Sequence, residues 1–136
     1  MEIIEPDGNT RMMSRNPLQE SVQRGWDGSW YRVSTDAFEA SFLPSPDEEL
    51  DSVCNVEVLV KLKDGSRWSA TVFTLAEVER PMKTWAGSGE ALEGRYFWAS
   101  DGLIVRDPGI DSMADVIAGL IEEEDFRAVL QRRADD

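Results

Sequence analysis

The sequence predicts an α+β domain: an antiparallel β-sheet built from hairpins, short helices packed on it, and a C-terminal helical segment. Three observations predict it. Asp-Gly occurs four times, at 7–8, 27–28, 64–65 and 101–102; between apolar runs this pair marks a hairpin, because glycine takes φ > 0 at no steric cost. Apolar residues around 64–65 alternate with period two, the spacing of a half-buried strand. Beyond residue 110 the apolar spacing becomes helical. At 136 residues the chain fits one domain, with its first ~25 residues peripheral to the core.

The elements follow in order. Ile3-Ile4 before Pro6-Asp7-Gly8 is the weakest hairpin signal, and a Trp26-Asp27-Gly28 loop leading into Trp30–Val33 is a stronger one. Pro44 to Ser52 reads as an exposed loop. The clearest hairpin spans Asn55 to Thr74. Val56, Val58, Val60 and Leu62 alternate on one strand, and Trp68, Ala70 and Val72 on the next. A two-residue Asp-Gly loop puts these sets on opposite faces. A three-residue loop, Lys63-Asp64-Gly65, pairs Leu62 with Ser66 and Val60 with Trp68, and brings the sets together. The same logic predicts a second hairpin from Tyr96 to Arg106 around Ser100-Asp101-Gly102, apolar on both faces and hence central or covered.

Thr74-Leu75-Ala76-Glu77 is a capping box opening a helix, and Pro81 predicts that this helix is short or kinked. Gly87, Gly89 and Gly94 mark a loop. Asp111 or Ser112 caps a last helical segment with Met113, Val116, Ile117, Leu120 and Ile121 as its apolar stripe. The stripe breaks at Glu122–Asp125 and resumes at Phe126, Val129 and Leu130, which predicts two short helices or one bent helix.

Charge bounds the function. Asp and Glu number 27 against 14 Lys and Arg, a net −13 at pH 7. That field opposes direct binding to nucleic acid and to anionic membranes, and it draws in basic proteins. It also keeps a protein soluble, which needs no partner. Seven acids and no Lys or Arg lie between Ser34 and Val60, and a second run is Glu122-Glu123-Glu124-Asp125. Such runs are solvated faces or cation-seeking interfaces. The candidate partner-binding residues are Asp47, Glu48, Glu49, Asp51, Glu122, Glu123, Glu124, Asp125 and Trp85.

Histidine is absent, which removes the commonest general base and the commonest zinc ligand. Cys54 has no second thiol for a bridge or a shared metal. No glycine-rich segment matches a phosphate loop, and Asp47–Asp51 lacks the glycine and distant Glu of a calcium loop. The sequence therefore predicts no catalytic residue, cofactor or metal site. Of the five Trp, Trp68 and Trp98 fall in predicted strands and are expected in the core. Trp26, Trp30 and Trp85 lie beside turns or glycines, where an exposed indole rimmed with acids would anchor an interface. The acidic N-terminus, interrupted by Pro6, is unlike a secretory signal, and cytoplasm is the expected compartment.

From Leu62 to Leu130 the chain resembles small bacterial immunity-type proteins associated with secreted polymorphic toxins. The resemblance rests on DGSRWSATVFTLAEV at 64–78, GRYFWASDGLIVRD at 94–107 and VIAGLIEEEDFRAVL at 116–130. It implies an inhibitor that occludes the active or substrate surface of a cognate, basic toxin effector domain, and it brings no catalytic residue with it. The alternatives are a nucleic-acid-mimic or phage-type inhibitor and, behind it, a small carboxylate-based enzyme.

Overall fold

Leu62 and Ser66 close the central hairpin. In the computed structural model, which describes residues 22–133, the Leu62 N–H donates to Ser66 O and the Gly65 N–H to Leu62 O, both at 3.0 Å. β4 (Asn55–Leu62) then pairs with β5 (Arg67–Thr74) with Val60 opposite Trp68. This is the register of the three-residue loop, with Gly65 at φ 87°. Asp64 fastens the turn: its Oδ1 accepts from the Ser66 N–H at 2.9 Å and from the Ser66 hydroxyl. Those bonds hold its carboxyl below the ordinary range.

β1 (Gln23–Asp27), β2 (Trp30–Ser34) and β3 (Phe38–Leu43) extend the sheet antiparallel from β4. The first hairpin forms, but Trp26 and Asp27 belong to its strand: Asp27 pairs with Trp30, so the loop is Gly28-Ser29. The Pro6-Asp7-Gly8 signal lies outside the described residues.

Beyond β5 the architecture departs from expectation. β6 (Gly102–Val105) runs parallel to β5, and residues 96–99 are not a strand. The predicted Tyr96–Arg106 hairpin does not exist. Ser100-Asp101 does turn the chain, but Asp101 is used to dock β6 on β5: its carbonyl accepts from the Thr71 N–H at 3.0 Å, and its carboxylate from the Thr71 hydroxyl at 3.3 Å. α1 (Leu75–Ser88) supplies the crossover that a parallel pair needs. β7 (Gln131–Arg133) adds antiparallel to the other half of β5, completing a mixed, mostly antiparallel seven-stranded sheet.

One face of the sheet carries the core. Val33, Phe42, Val58, Val60 and Val72 are fully buried there. They are covered by α3 (Ile110–Glu122), through Ile110, Met113, Ala114, Ile117 and Ala118, and by α4 (Phe126–Val129). The α3 stripe is rotated from the expected one, leaving Val116 36% exposed. Trp68 meets Phe126 edge-on at 5.1 Å, and its indole N–H donates to the Ser66 hydroxyl at 3.0 Å. Burying the ring therefore leaves no orphan donor.

Three helix details differ from the sequence reading. The Thr74 hydroxyl caps α1 by accepting from the Glu77 N–H at 3.2 Å, but the Thr74 N–H goes to Cys54 O. Only half the capping box forms. The Glu77 carboxylate turns instead to Arg80, at 2.6 Å, which holds its pKa down. α1 also runs through Pro81 to Ser88 rather than ending there. It is followed by α2 (Glu90–Gly94), a single turn in which Ala91, Leu92 and Glu93 are left-handed. Finally, α3 is entered from Gly109 rather than capped by Asp111 or Ser112. Among the described residues no helix is long and apolar enough to cross a membrane.

Candidate functional site

Gly109 fixes the geometry of an acidic end of the molecule. Its N–H donates to Val53 O at 2.8 Å, and a Cβ built on it would lie 3.0 Å from Asp51 O. This close approach holds the 3₁₀ turn Leu50–Ser52 against the start of α3. The loop before it is less exposed than expected, because Pro44 is buried. Ser45 and Glu48 close a tight turn, the Ser45 N–H donating to Glu48 Oε1 at 3.2 Å.

Between these elements lies a depression of about 340 Å³, lined by Tyr31, Leu50, Asp51, Pro108, Asp111 and Ser112. Beside it Trp26, 55% exposed, meets Tyr31 edge-on at 5.2 Å. The aromatic pair and Leu50 form an apolar ledge. Asp51 and Asp111 line the depression, and the exposed Asp47, Glu49 and Asp107 lie on the segments that lead into the 3₁₀ turn and into α3. Asp107 is engaged by Arg106 and Asp111 by Arg24, both at 3.0 Å. No ion pair among the described residues involves Asp47, Glu49 or Asp51. Asp111 also gains from the positive end of the helix dipole. The half-buried thiol of Cys54 is nearby, its pKa raised by burial and then by the Glu77 and Glu48 carboxylates. A protonated thiol there is a packing group rather than a nucleophile.

The second acidic run is elsewhere. Glu122, Glu123, Glu124 and Asp125 are all exposed at the far end of α3. That helix has 13 residues and so spans about 20 Å. The chain leaves it through a Schellman motif: Glu124 N–H to Ile121 O, Asp125 N–H to Leu120 O, and Glu124 left-handed at φ 63°. These carboxylates lie at the negative end of the helix dipole, an unfavourable place for them. Arg127 stands 4.0 Å from Glu124 as an opposing charge.

The structure thus gathers Asp47, Glu48, Glu49 and Asp51 at one end of α3 and Glu122–Asp125 at the other. Trp85 joins neither. It is half-buried on α1, stacked on Phe97 at 6.5 Å, and Phe97 meets Phe73 on the sheet face opposite α3. Sequence reasoning left Trp26 undecided, and β1, exposed along its whole length, is what brings it to the surface. Trp98, expected in the core, is 78% exposed because its segment never becomes a strand. Among the described residues no three His, Cys, Asp or Glu side chains converge as metal ligands.

No protein-family model, curated protein or solved structure matches the chain.

Proposed function

We propose that the chain is a protein-binding inhibitor of the immunity type, whose acidic end docks on a basic effector domain and occludes its working surface. One observation carries this reading. An exposed indole, Trp26, packs on Tyr31 beside a depression that Leu50, Asp51 and Asp111 line, and the exposed acids Asp47 and Glu49 lie on the loop that leads into that wall. A central aromatic anchor with a charged rim is the arrangement in which a few residues supply most of the affinity while the rim charges govern encounter. The net charge of −13 adds long-range attraction toward a cationic partner. The inhibitor acts in the cytoplasm, where a single cysteine stays reduced.

A nucleic-acid mimic needs carboxylates following a continuous phosphate-like track, and the length of α3 between the two acidic runs gives that alternative less support. A carboxylate-based enzyme needs two close, uncommitted acids in a deep pocket. Asp27 and Glu39, which share one depression, are both engaged by Arg32, and of Asp51 and Asp111, which share another, Asp111 is engaged by Arg24.

Co-expression with the product of the adjacent gene, followed by gel filtration at low salt, tests the proposal. The expected result is a stable complex that is weakened by Trp26→Ala and by Glu49→Lys with Asp51→Lys. A complex indifferent to all three changes, or no complex with that product or with a basic nuclease domain, overturns it.

A further inference from the structure

We propose that Asp27-Gly28 is a self-modification site of this chain, where the Asp27 side chain cyclises onto the Gly28 nitrogen and reopens as isoaspartate, with Arg32 restraining the reaction. The chemistry needs only the chain and water, so the inference stands apart from the partner-binding reading.

An Asp-Gly pair is prone to this rearrangement because glycine puts no side chain in the way of its own attacking nitrogen. Three such pairs fall among the described residues, and the structure treats them differently. At Asp64-Gly65 the Gly65 N–H is spent on Leu62 O at 3.0 Å, and the Asp64 carboxylate accepts from both the N–H and the hydroxyl of Ser66. At Asp101-Gly102 the Gly102 N–H donates to Ala99 O at 3.4 Å, and the carboxylate accepts from the Thr71 hydroxyl. The Ala99 Cβ also crowds that glycine, 3.2 Å from where a side chain would begin. Asp27-Gly28 has none of these restraints. No hydrogen bond among the described residues involves the Gly28 N–H, and nothing lies within 4 Å of the position a Cβ would take. Asp27, Gly28 and Ser29 are all exposed at the tip of the β1–β2 hairpin, where water can enter and leave.

What holds Asp27 is its ion pair with Arg32. Arg32 stands opposite Gly25, two residues before Asp27 on the same face of the hairpin. The pair therefore draws the carboxylate back along β1, away from the Gly28 nitrogen. An exposed pair is a weak restraint, and Arg32 is shared with Glu39 at 3.1 Å. When the released carboxyl takes up a proton, the Gly28 nitrogen attacks Asp27 Cγ. A C–N bond forms, the C–O bond breaks, and the hydroxyl leaves as water with the amide proton. Water then opens the succinimide. Addition at Cγ restores aspartate; addition at the former main-chain carbonyl gives isoaspartate, whose backbone runs through Cβ and Cγ. One water is lost and one regained, with no oxidant or metal consumed. The extra backbone atom falls between Trp26 and the turn, and it breaks the Asp27–Trp30 pairing that closes the hairpin.

Ageing the full chain for several weeks at neutral pH and physiological temperature tests the site. Tryptic digestion and electron-transfer fragmentation then locate isoaspartate. The expected result is accumulation in the peptide 25–32 several-fold faster than in 64–67 and 96–106. Asp27→Glu, whose cyclisation needs a larger and slower-forming ring, should abolish the signal at that position. Arg32→Gln, which removes the charge and keeps the stem, should raise the rate at Asp27 several-fold and leave Asp64 and Asp101 unchanged. Equal rates at the three pairs, or a faster rate at Asp64 or Asp101, overturn the site. No acceleration in Arg32→Gln, or an equal rise at all three pairs, overturns the restraint assigned to Arg32.

Discussion

The backbone of Asp51 passes so close to Gly109 that a Cβ on the glycine would stand 3.0 Å from the Asp51 carbonyl oxygen. Gly109 also has φ 101° and ψ 144°, a region that residues with a side chain scarcely enter. Gly109→Ala should therefore destabilise the fold by about 1–3 kcal/mol. Urea unfolding measures this as a lower midpoint with unchanged slope. Loss of partner affinity beyond the folded fraction would report that the 3₁₀ turn and α3 had moved apart.

Glu124→Gly should act in the opposite direction. Glu124 occupies the left-handed position of the Schellman motif that ends α3, where a side chain costs about 1 kcal/mol. The ion pair lost with it is an exposed contact to Arg127 at 4.0 Å, worth little. Thermal unfolding should show a gain of about 0.5–1 kcal/mol after the entropy of the added glycine is counted. A loss would mean that the carboxylate holds more than this contact.

Asp115 predicts a pH effect. Its Oδ1 is buried with no hydrogen-bond partner among the described residues, and burial raises its pKa. The folded protein then holds this proton to higher pH than the unfolded chain. The contribution to stability is greatest below the ordinary value of 3.8 and is lost as pH rises through the raised one. Asp115→Ala should thus stabilise the protein at neutral pH by about 1 kcal/mol. It should make little difference in acid, where parent and variant curves converge. Parallel curves across pH would refute the assignment.

Rim and anchor should separate kinetically. Reversing Glu49 and Asp51 to Lys should slow association with a basic partner about tenfold at low salt, a difference that shrinks as salt screens it. Trp26→Ala should leave association nearly unchanged and speed dissociation by about tenfold or more. Stopped-flow association and surface-plasmon dissociation distinguish the two, and an exchange of these phenotypes would sink the division of roles.

Local pattern carried much of the architecture. The β4–β5 register follows from residues a few positions apart: only a three-residue loop lets Val60 face Trp68, and the gain from burying both sets on one side selects it. The Thr74 cap, the break at Glu122–Asp125 and the helix pair around it were legible for the same reason. The Tyr96–Arg106 hairpin failed because an Asp-Gly turn flanked by apolar residues fits two outcomes. Nothing local says that Thr71, thirty residues away, will take both polar groups of Asp101. Trp98 was misplaced by the same step, and the cap of α3 was missed because Gly109 is selected by the approach of Asp51.

The sequence by itself determined the class, the central hairpin and the surplus of negative charge, since each depends on composition or on side chains adjacent along the chain. Only the tertiary structure decided which surfaces those charges make. The contact of Asp51 with Gly109 brings the 3₁₀ turn beside Asp111, and helix length holds two acidic runs apart. Both are distances through space between residues remote in sequence, set by how the sheet buries its apolar face.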